Sequence, residues 1–555
     1  MRSSVSFIAI AALLTACSGE KPASSSTATG GTVILALFGD AISIYPPSVV
    51  DLTGRLVQDQ VFDRLAEIGQ DLNTVGDKGF APRLAKSWKW ASDSMSIAFS
   101  IDPRARWHDG KPVMASDVRF SLNAFKDPKF ESPVTALVTN IDSVHVQDSL
   151  TAVMWFKKHT PEQFYDAAYQ VIIMPEHVYG GIPADQMRTS PVARNPIGSG
   201  RFRFVRWEPG VQMELVADTN NYRGRPKLDR VIIAPNADAS ASATRLLAKA
   251  VDLADNYPLA RAGELDTSSV ARRMVWANFG GVFLALNPND RKSKNAPHPI
   301  FSDRRTRRAL SMAVDRVAML KNVFGADGKL AHGPFSASSP YADTTLHPLP
   351  YDTIAAKAAF DSAGWRVGAN GIRAKNGRPL RFAIAVSPSP TRRQYAELLQ
   401  AEFKKLGVQV DIEAVDNKTL NERQNARDYD ALMASFVSDP SASGLRQNWG
   451  TEGIGPDGQN FLKYSSKTFD ALLDTATKSF DPATRQRYTS RAFQTILDDA
   501  PAIFLYDLFV VQGLNRRIVT APMRTDEWWA NLADWTIAPG KQLDRDKIGL
   551  KPGNP

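Results

Sequence analysis

The chain has 555 residues, 43% hydrophobic, 23% charged and 9% aromatic, with a formal net charge of +9. This balance excludes a mostly disordered chain, a coiled coil and a polytopic membrane protein, and the length calls for about three or four structural units. The single cysteine, Cys17, excludes intrachain disulfides and multi-cysteine zinc or iron–sulfur scaffolds, and the diffuse charge excess reads as a solubility property.

Met1-Arg2 precede an apolar run from Phe7 to Leu14, followed by Thr15-Ala16-Cys17. That run is too short to cross a hydrocarbon core, which needs about 20 residues, so residues 1–16 read as a secretory signal. Leu14-Thr15-Ala16-Cys17 also resembles the bacterial lipobox, in which the cysteine is lipidated and becomes the first mature residue. An ordinary signal peptide with a chance cysteine is the other reading. Residues 17–31 are small and polar without periodicity, a tether with an end-to-end distance of roughly 20 Å. The expectation is an exported body anchored by lipid at Cys17 to a bacterial membrane, facing the periplasm or the cell exterior.

Val33–Phe38 is a short apolar run, the pattern of a strand buried on both faces. Ile97–Ile101 alternates as a half-buried strand, Asp109-Gly110 is a turn, and Ser116 or Asp117 caps a helix carrying Val118, Leu122 and Phe125. Asn195–Gly200 is rich in turn residues. No Gly-Lys-Ser/Thr follows it, so a tight turn is preferred to a phosphate loop. Ser302 or Asp303 precedes a helix with Leu310, Ala313, Val314 and Val317 on one face. Asp352 or Thr353 opens another with Ala356 and Phe360, ended by Gly364. Tyr395, Leu399, Phe403 and Leu406 stripe a third, closed by Gly407 and followed by the strand Val408–Ile412, an α/β unit. Ser466 starts a helix with Phe469, Leu472, Leu473 and Ala476. Asp481-Pro482 starts the next, with Tyr488, Ala492 and Ile496, before the strand Ile503–Tyr506.

Several segments, in order, resemble the extracellular solute-binding proteins of peptide-type ABC transporters (oligopeptide-, dipeptide- and nickel-binding proteins). They include Pro82–Trp88, Trp107–Pro112 with Ala115–Val118, Met174–His177, Asn195–Gly200 and Asn220–Asp229. Further on come Asn287, Phe301–Arg316, Ala363–Trp365, Phe469–Leu473 and Asp499–Pro501, so the matches span roughly residues 31–510. The resemblance implies an α/β, two-lobed periplasmic-binding-protein-like fold with mixed sheets, a hinge and an extra domain inserted in the N-terminal lobe. The expected division is lobe I at 32–65, 196–272 and 508–555, the inserted domain at 66–195, and the other lobe at 273–507. It implies a monomeric receptor, without cofactor or metal, that encloses a peptide or other small solute and docks on an ABC transporter permease. In peptide-binding relatives an aromatic residue followed three positions later by Asp lines the pocket, the Asp pairing with the peptide amine. The matching residues here are Phe436 and Asp439, and Trp449 and Tyr45 are further pocket candidates. The relatives usually carry Trp where this chain has Phe436, and Asp439 beside Pro440 also fits a turn cap.

The seven histidines are scattered without His-Glu-x-x-His spacing, and there is no Gly-x-Ser-x-Gly elbow. Arg304-Arg305-Thr-Arg307-Arg308 is basic but lacks interleaved aromatics, so it reads as a solvated helix turn, with Asp303 or Asp315 as partners, and not as a nucleic-acid site. Two function classes follow: a lipid-anchored solute receptor, favoured, and a secreted lipoprotein hydrolase on a similar scaffold.

Overall fold

The structure, a computed structural model, describes residues 29–550 except 131, 294–295 and 456–457. The signal segment, Cys17 and the tether up to residue 28 lie outside the described residues. Gly30 and Gly31, read from sequence as tether, are fixed to the body. Gly30 N–H donates to Lys227 O (2.7 Å) and Gly31 N–H to Asp229 Oδ2 (2.9 Å). Gly31 has φ +94°, and a Cβ there would stand 2.3 Å from Ile537 Cδ1, so the close approach requires glycine.

Ten strands build one mixed sheet: β1 (Thr32–Leu37), β2 (Phe202–Glu208), β3 (Gln212–Ala217), β4 (Arg230–Pro235), β5 (Leu253–Ala254), β6 (Ala271–Leu286), β7 (Arg381–Val386), β8 (Gln409–Ala414), β9 (Ala431–Val437) and β10 (Ala502–Asn515). Their spatial order is β8-β7-β9-β6-β10-β5-β1-β4-β3-β2. β1 runs parallel to β4 and β5, and β7 runs parallel to β8 and β9. The long strands β6 and β10 pair antiparallel along the middle. Their register holds from Ala271↔Asn515 to Ala277↔Phe509, breaks, and resumes at Gly281↔Asp507. At the break residues 278–280 oppose Leu508 alone, a bulge that bends the ladder where the two halves of the sheet meet.

The cores follow the two halves. Val33, Leu35, Leu56 and Trp529 share one core with Phe99, Trp107, Leu122 and Phe164, so the segment around a second, four-stranded antiparallel sheet packs against the β1 half. In the other half Leu284, Leu310, Phe382 and Leu399 cover one face of the sheet, and Phe283, Phe436, Trp449 and Phe493 the other.

Among the described α-helices, half of the starts carry a side-chain cap. Asp303 accepts from Arg305 N–H (2.9 Å), Asp352 from Ile354 and Ala355 N–H, and Asp481 from Thr484 N–H. Four expectations change. The helix expected to carry Leu310 through Val317 ends at Met312; Asp315 caps a second helix, Arg316–Phe324, and Val317 is exposed. Neither Ser116 nor Asp117 is the cap of helix Ala115–Lys126. Asp117 lies one turn in and accepts from Met114 N–H (2.8 Å) and Trp107 Nε1–H (3.2 Å). Gly198 and Gly200 serve close packing and not a tight turn, since Cβ atoms there would lie 1.8 Å from Val61 O and 2.4 Å from Gln60 O. The arginine cluster is divided: Arg305 pairs with Asp303 as expected (2.8 Å), whereas Arg304, Arg307 and Arg308 donate to the carbonyls of Asp498 and Asp499, the C-terminus of helix Pro482–Asp499. Guanidinium groups there satisfy orphan carbonyls and face the negative end of the helix dipole.

Candidate functional site

β7 and β9 are parallel neighbours, so the chain leaves both at the same edge of the sheet, the place where open α/β sheets hold ligands. The loop after β9 carries Asp439, and the first turn of helix Pro390–Lys404, just after β7, carries Arg392. Helix Ala442–Trp449 then folds back, so Trp449 returns beside the end of β9. Phe436 and Trp449 are buried and pack edge-on (6.2 Å), and both contact Phe283. Together with Asn448, Gln459, Phe461 and Leu462 they enclose a cavity of about 10 Å³, one water in size. Two of the four expected pocket residues, Phe436 and Trp449, therefore line one small cavity. Tyr45 lies apart, buried in the other core between Phe130 and Tyr179 at 5.4 Å from each.

Asp439 reaches across to the segment packed on the β1 half. Its Oδ2 accepts from Tyr165 O–H and Gln170 Nε2–H, each at 2.9 Å, while Oδ1 accepts from Ser441 N–H at 2.6 Å. A second cross-contact lies beside it. Glu162 Oε1 accepts from Arg485 Nη2–H (2.8 Å), Ala442 N–H (3.1 Å) and Thr74 Oγ1–H (2.9 Å). Between these contacts is a cavity of about 170 Å³ lined by Leu72, Thr74, Tyr341, Pro440, Arg485 and Thr489 among others. Burial, then the charges of Glu162 and Asp439, push the Asp166 carboxyl well above its ordinary range. Arg392 stands without an acidic partner among the described residues. It donates to Met433 O (3.2 Å) and Ser435 Oγ (2.9 Å), and burial lowers its guanidinium from the usual value.

Tyr165, Gln170, Glu162, Arg485 and Arg392 were not singled out from sequence. Partners of Asp439 lie 274 and 269 residues away, and no local pattern couples them. Because charge-assisted hydrogen bonds are worth about 1.5–3 kcal/mol when desolvated, Tyr165→Phe is expected to shift the unliganded protein toward an open form. Small-angle scattering should show a larger radius of gyration; an unchanged profile sinks the latch.

The fold and this inter-half site define a binding protein of the periplasmic α/β class. The chain belongs to the bacterial extracellular solute-binding proteins of family 5, whose "family 5 Middle" model matches residues 79–455. The oligopeptide-binding protein AppA of Bacillus subtilis (strain 168) is 25% identical over 515 residues, 90% of this chain and 91% of that protein. The solved structure of AppA from Bacillus subtilis in complex with a nonapeptide superimposes with a TM-score of 0.75 at 22% identity, covering 92% of this chain and 100% of that one. NikZ from Campylobacter jejuni in complex with Ni(L-His) gives 0.76 at 23% identity, covering 91% and 99%. These likenesses establish the expected α/β periplasmic-binding-protein-like fold with mixed sheets. Among the described residues no helix is long and apolar enough to cross a membrane.

Proposed function

We propose that the protein is a lipid-anchored receptor that closes on a short peptide between the halves of its sheet and delivers it to an ABC transporter permease. The observation that carries this reading is the cavity of about 170 Å³ between the two halves, flanked by the hydrogen bonds of Asp439 and Glu162. Asp439 accepts from Tyr165 and Gln170, and Glu162 from Arg485 and Ala442, so both carboxylates tie the two halves together beside it. Relatives described as oligopeptide-binding, and a neighbour solved with a nonapeptide, support peptide as the solute class. Phe436 and Trp449 supply the apolar wall and Asp439 the closing contact.

In this reading residues 32–65, 196–272 and 508–555 form the lobe that bears the inserted domain 66–195, and 273–507 form the lobe that moves against it. Lipidation at Cys17 would keep the receptor, as a monomer, within reach of its permease. Native mass spectrometry of the purified protein tests the ligand. Retained short peptides, and a rise in melting temperature with a peptide pool, are the expected results. Stabilisation by nickel–histidine with none by peptides would overturn the choice of peptide.

A further inference from the structure

We infer that the positively charged nitrogen of the bound solute is read by Asp507 together with Asn278, where the two long strands lose register, and not by Asp439. The inference rests on the peptide-receptor reading above. Asp439 already accepts from three protein donors, Tyr165, Gln170 and Ser441, and so is engaged in holding the halves together.

Asp507 differs. It is 1% exposed, its Oδ2 accepts from Ala337 N–H (2.8 Å) and Ser336 Oγ–H (3.2 Å), and its Oδ1 accepts from no described residue. The buried Oδ1 of Asn278 is in the same condition. The Ser336 hydroxyl has one proton to give, yet it lies within reach of both Asp507 Oδ2 and Asn278 O (3.1 Å). Acceptors therefore outnumber donors at a place closed to water. Lys329, the cation whose charge acts on Asp507, is exposed and forms no ion pair with it among the described residues. An enclosed site with surplus acceptors and an unpaired carboxylate calls for a group that only donates and carries positive charge, an ammonium or guanidinium.

The position adjoins Phe436, the apolar wall proposed for the solute. Asp507 faces Gly281 across the ladder, and a Cβ at Gly281 would lie 3.0 Å from the Phe436 ring. At Gly280 a Cβ would lie 2.7 Å from Phe436 O and 2.9 Å from Asn278 Oδ1. Two consecutive glycines thus let the Phe436 segment and Asn278 pack closely on the strand beside Asp507.

Calorimetric titration of the whole protein with three tripeptide libraries tests this: free amino termini without Lys or Arg, the same N-acetylated, and N-acetylated with one lysine. The wild type should bind the first or third at least tenfold tighter than the second, which also tells an amino terminus from a basic side chain. Asp507→Asn should abolish that advantage and leave the second library unchanged. An advantage that persists in Asp507→Asn, as it would if the site held a buried water only, overturns the inference. So does an equal loss for all three libraries. If the wild type binds no library, the peptide reading falls and this inference with it.

Discussion

Arg524→Ala is expected to lower stability by about 3–5 kcal/mol, the cost of leaving buried charges uncompensated. The Arg524 side chain is 3% exposed and donates to Glu67 (2.5 Å), Asp526 (2.7 Å), Glu527 (3.2 Å) and the Tyr169 hydroxyl (2.9 Å). Arg55 pairs with Glu527 and Arg64 with Asp59, so the network welds residues 55–67 to 524–527. Burial alone would push the Glu67 carboxyl up, but Arg524, Arg83 and Arg64 together bring it down to about 2. A carboxyl held below its unfolded value stabilises the fold above that value, and the stability is lost as pH falls toward 2. The deficit of the variant in urea unfolding should therefore be full at pH 7 and shrink below pH 5. A deficit under 1 kcal/mol at pH 7, or one independent of pH, would count against the network.

The same substitution should reach the binding site. Tyr169 lies under both Arg64 and Arg524 and stacks on Tyr165 at 5.2 Å, and Tyr165 holds Asp439. Arg524→Lys should not restore stability, because one ammonium cannot present the planar fork that meets three carboxylates and a phenol.

What the sequence revealed of the fold was local. Asp352, Asp481, Gly364 and Gly407 mark helix ends because a cap or a positive φ acts within a few residues of itself. The crossing strands were the part it concealed. β6 contains Asn-Phe-Gly-Gly in its middle, which reads as a turn, yet the glycines are there for the close approach of Phe436. Only Ile503–Tyr506 of β10 was recognised, because Asp507 and Gln512 interrupt the apolar pattern. Both are buried, and their partners, Ser336, Ala337 and Asp255, are remote in sequence. Phe436 and Asp439 were proposed from family resemblance and Trp449 as a further aromatic candidate, and one helix brings Trp449 back to Phe436. The groups that meet Asp439 belong to another layer of the molecule, and pairing of that kind leaves no spacing to read.

Asp507→Asn is expected to raise the stability of the unliganded protein by about 3 kcal/mol at pH 7. Burial pushes the Asp507 carboxyl from 3.8 up to about 6, against the Ala337 N–H, the Ser336 hydroxyl and the charge of Lys329. For an acid raised in this way the folded state holds the proton more tightly than the unfolded chain. The penalty is absent below about pH 4, grows between about pH 4 and 6, and is complete above, at about 1.4 kcal/mol per pH unit. Asparagine retains an acceptor for Ala337 N–H and carries no charge to desolvate. Urea unfolding at pH 4, 5, 6 and 7 should therefore show the variant and the wild type converging at the acid end and separating toward neutrality. A constant difference across that range would assign the effect to packing and not to charge. Saturation with a cationic solute should reverse the order at pH 7, since only the carboxylate gains a partner. A group that weakens the empty receptor and is relieved by its ligand gives part of its cost back as selectivity, and that coupling gives a reason for an unpaired carboxylate where two strands lose register.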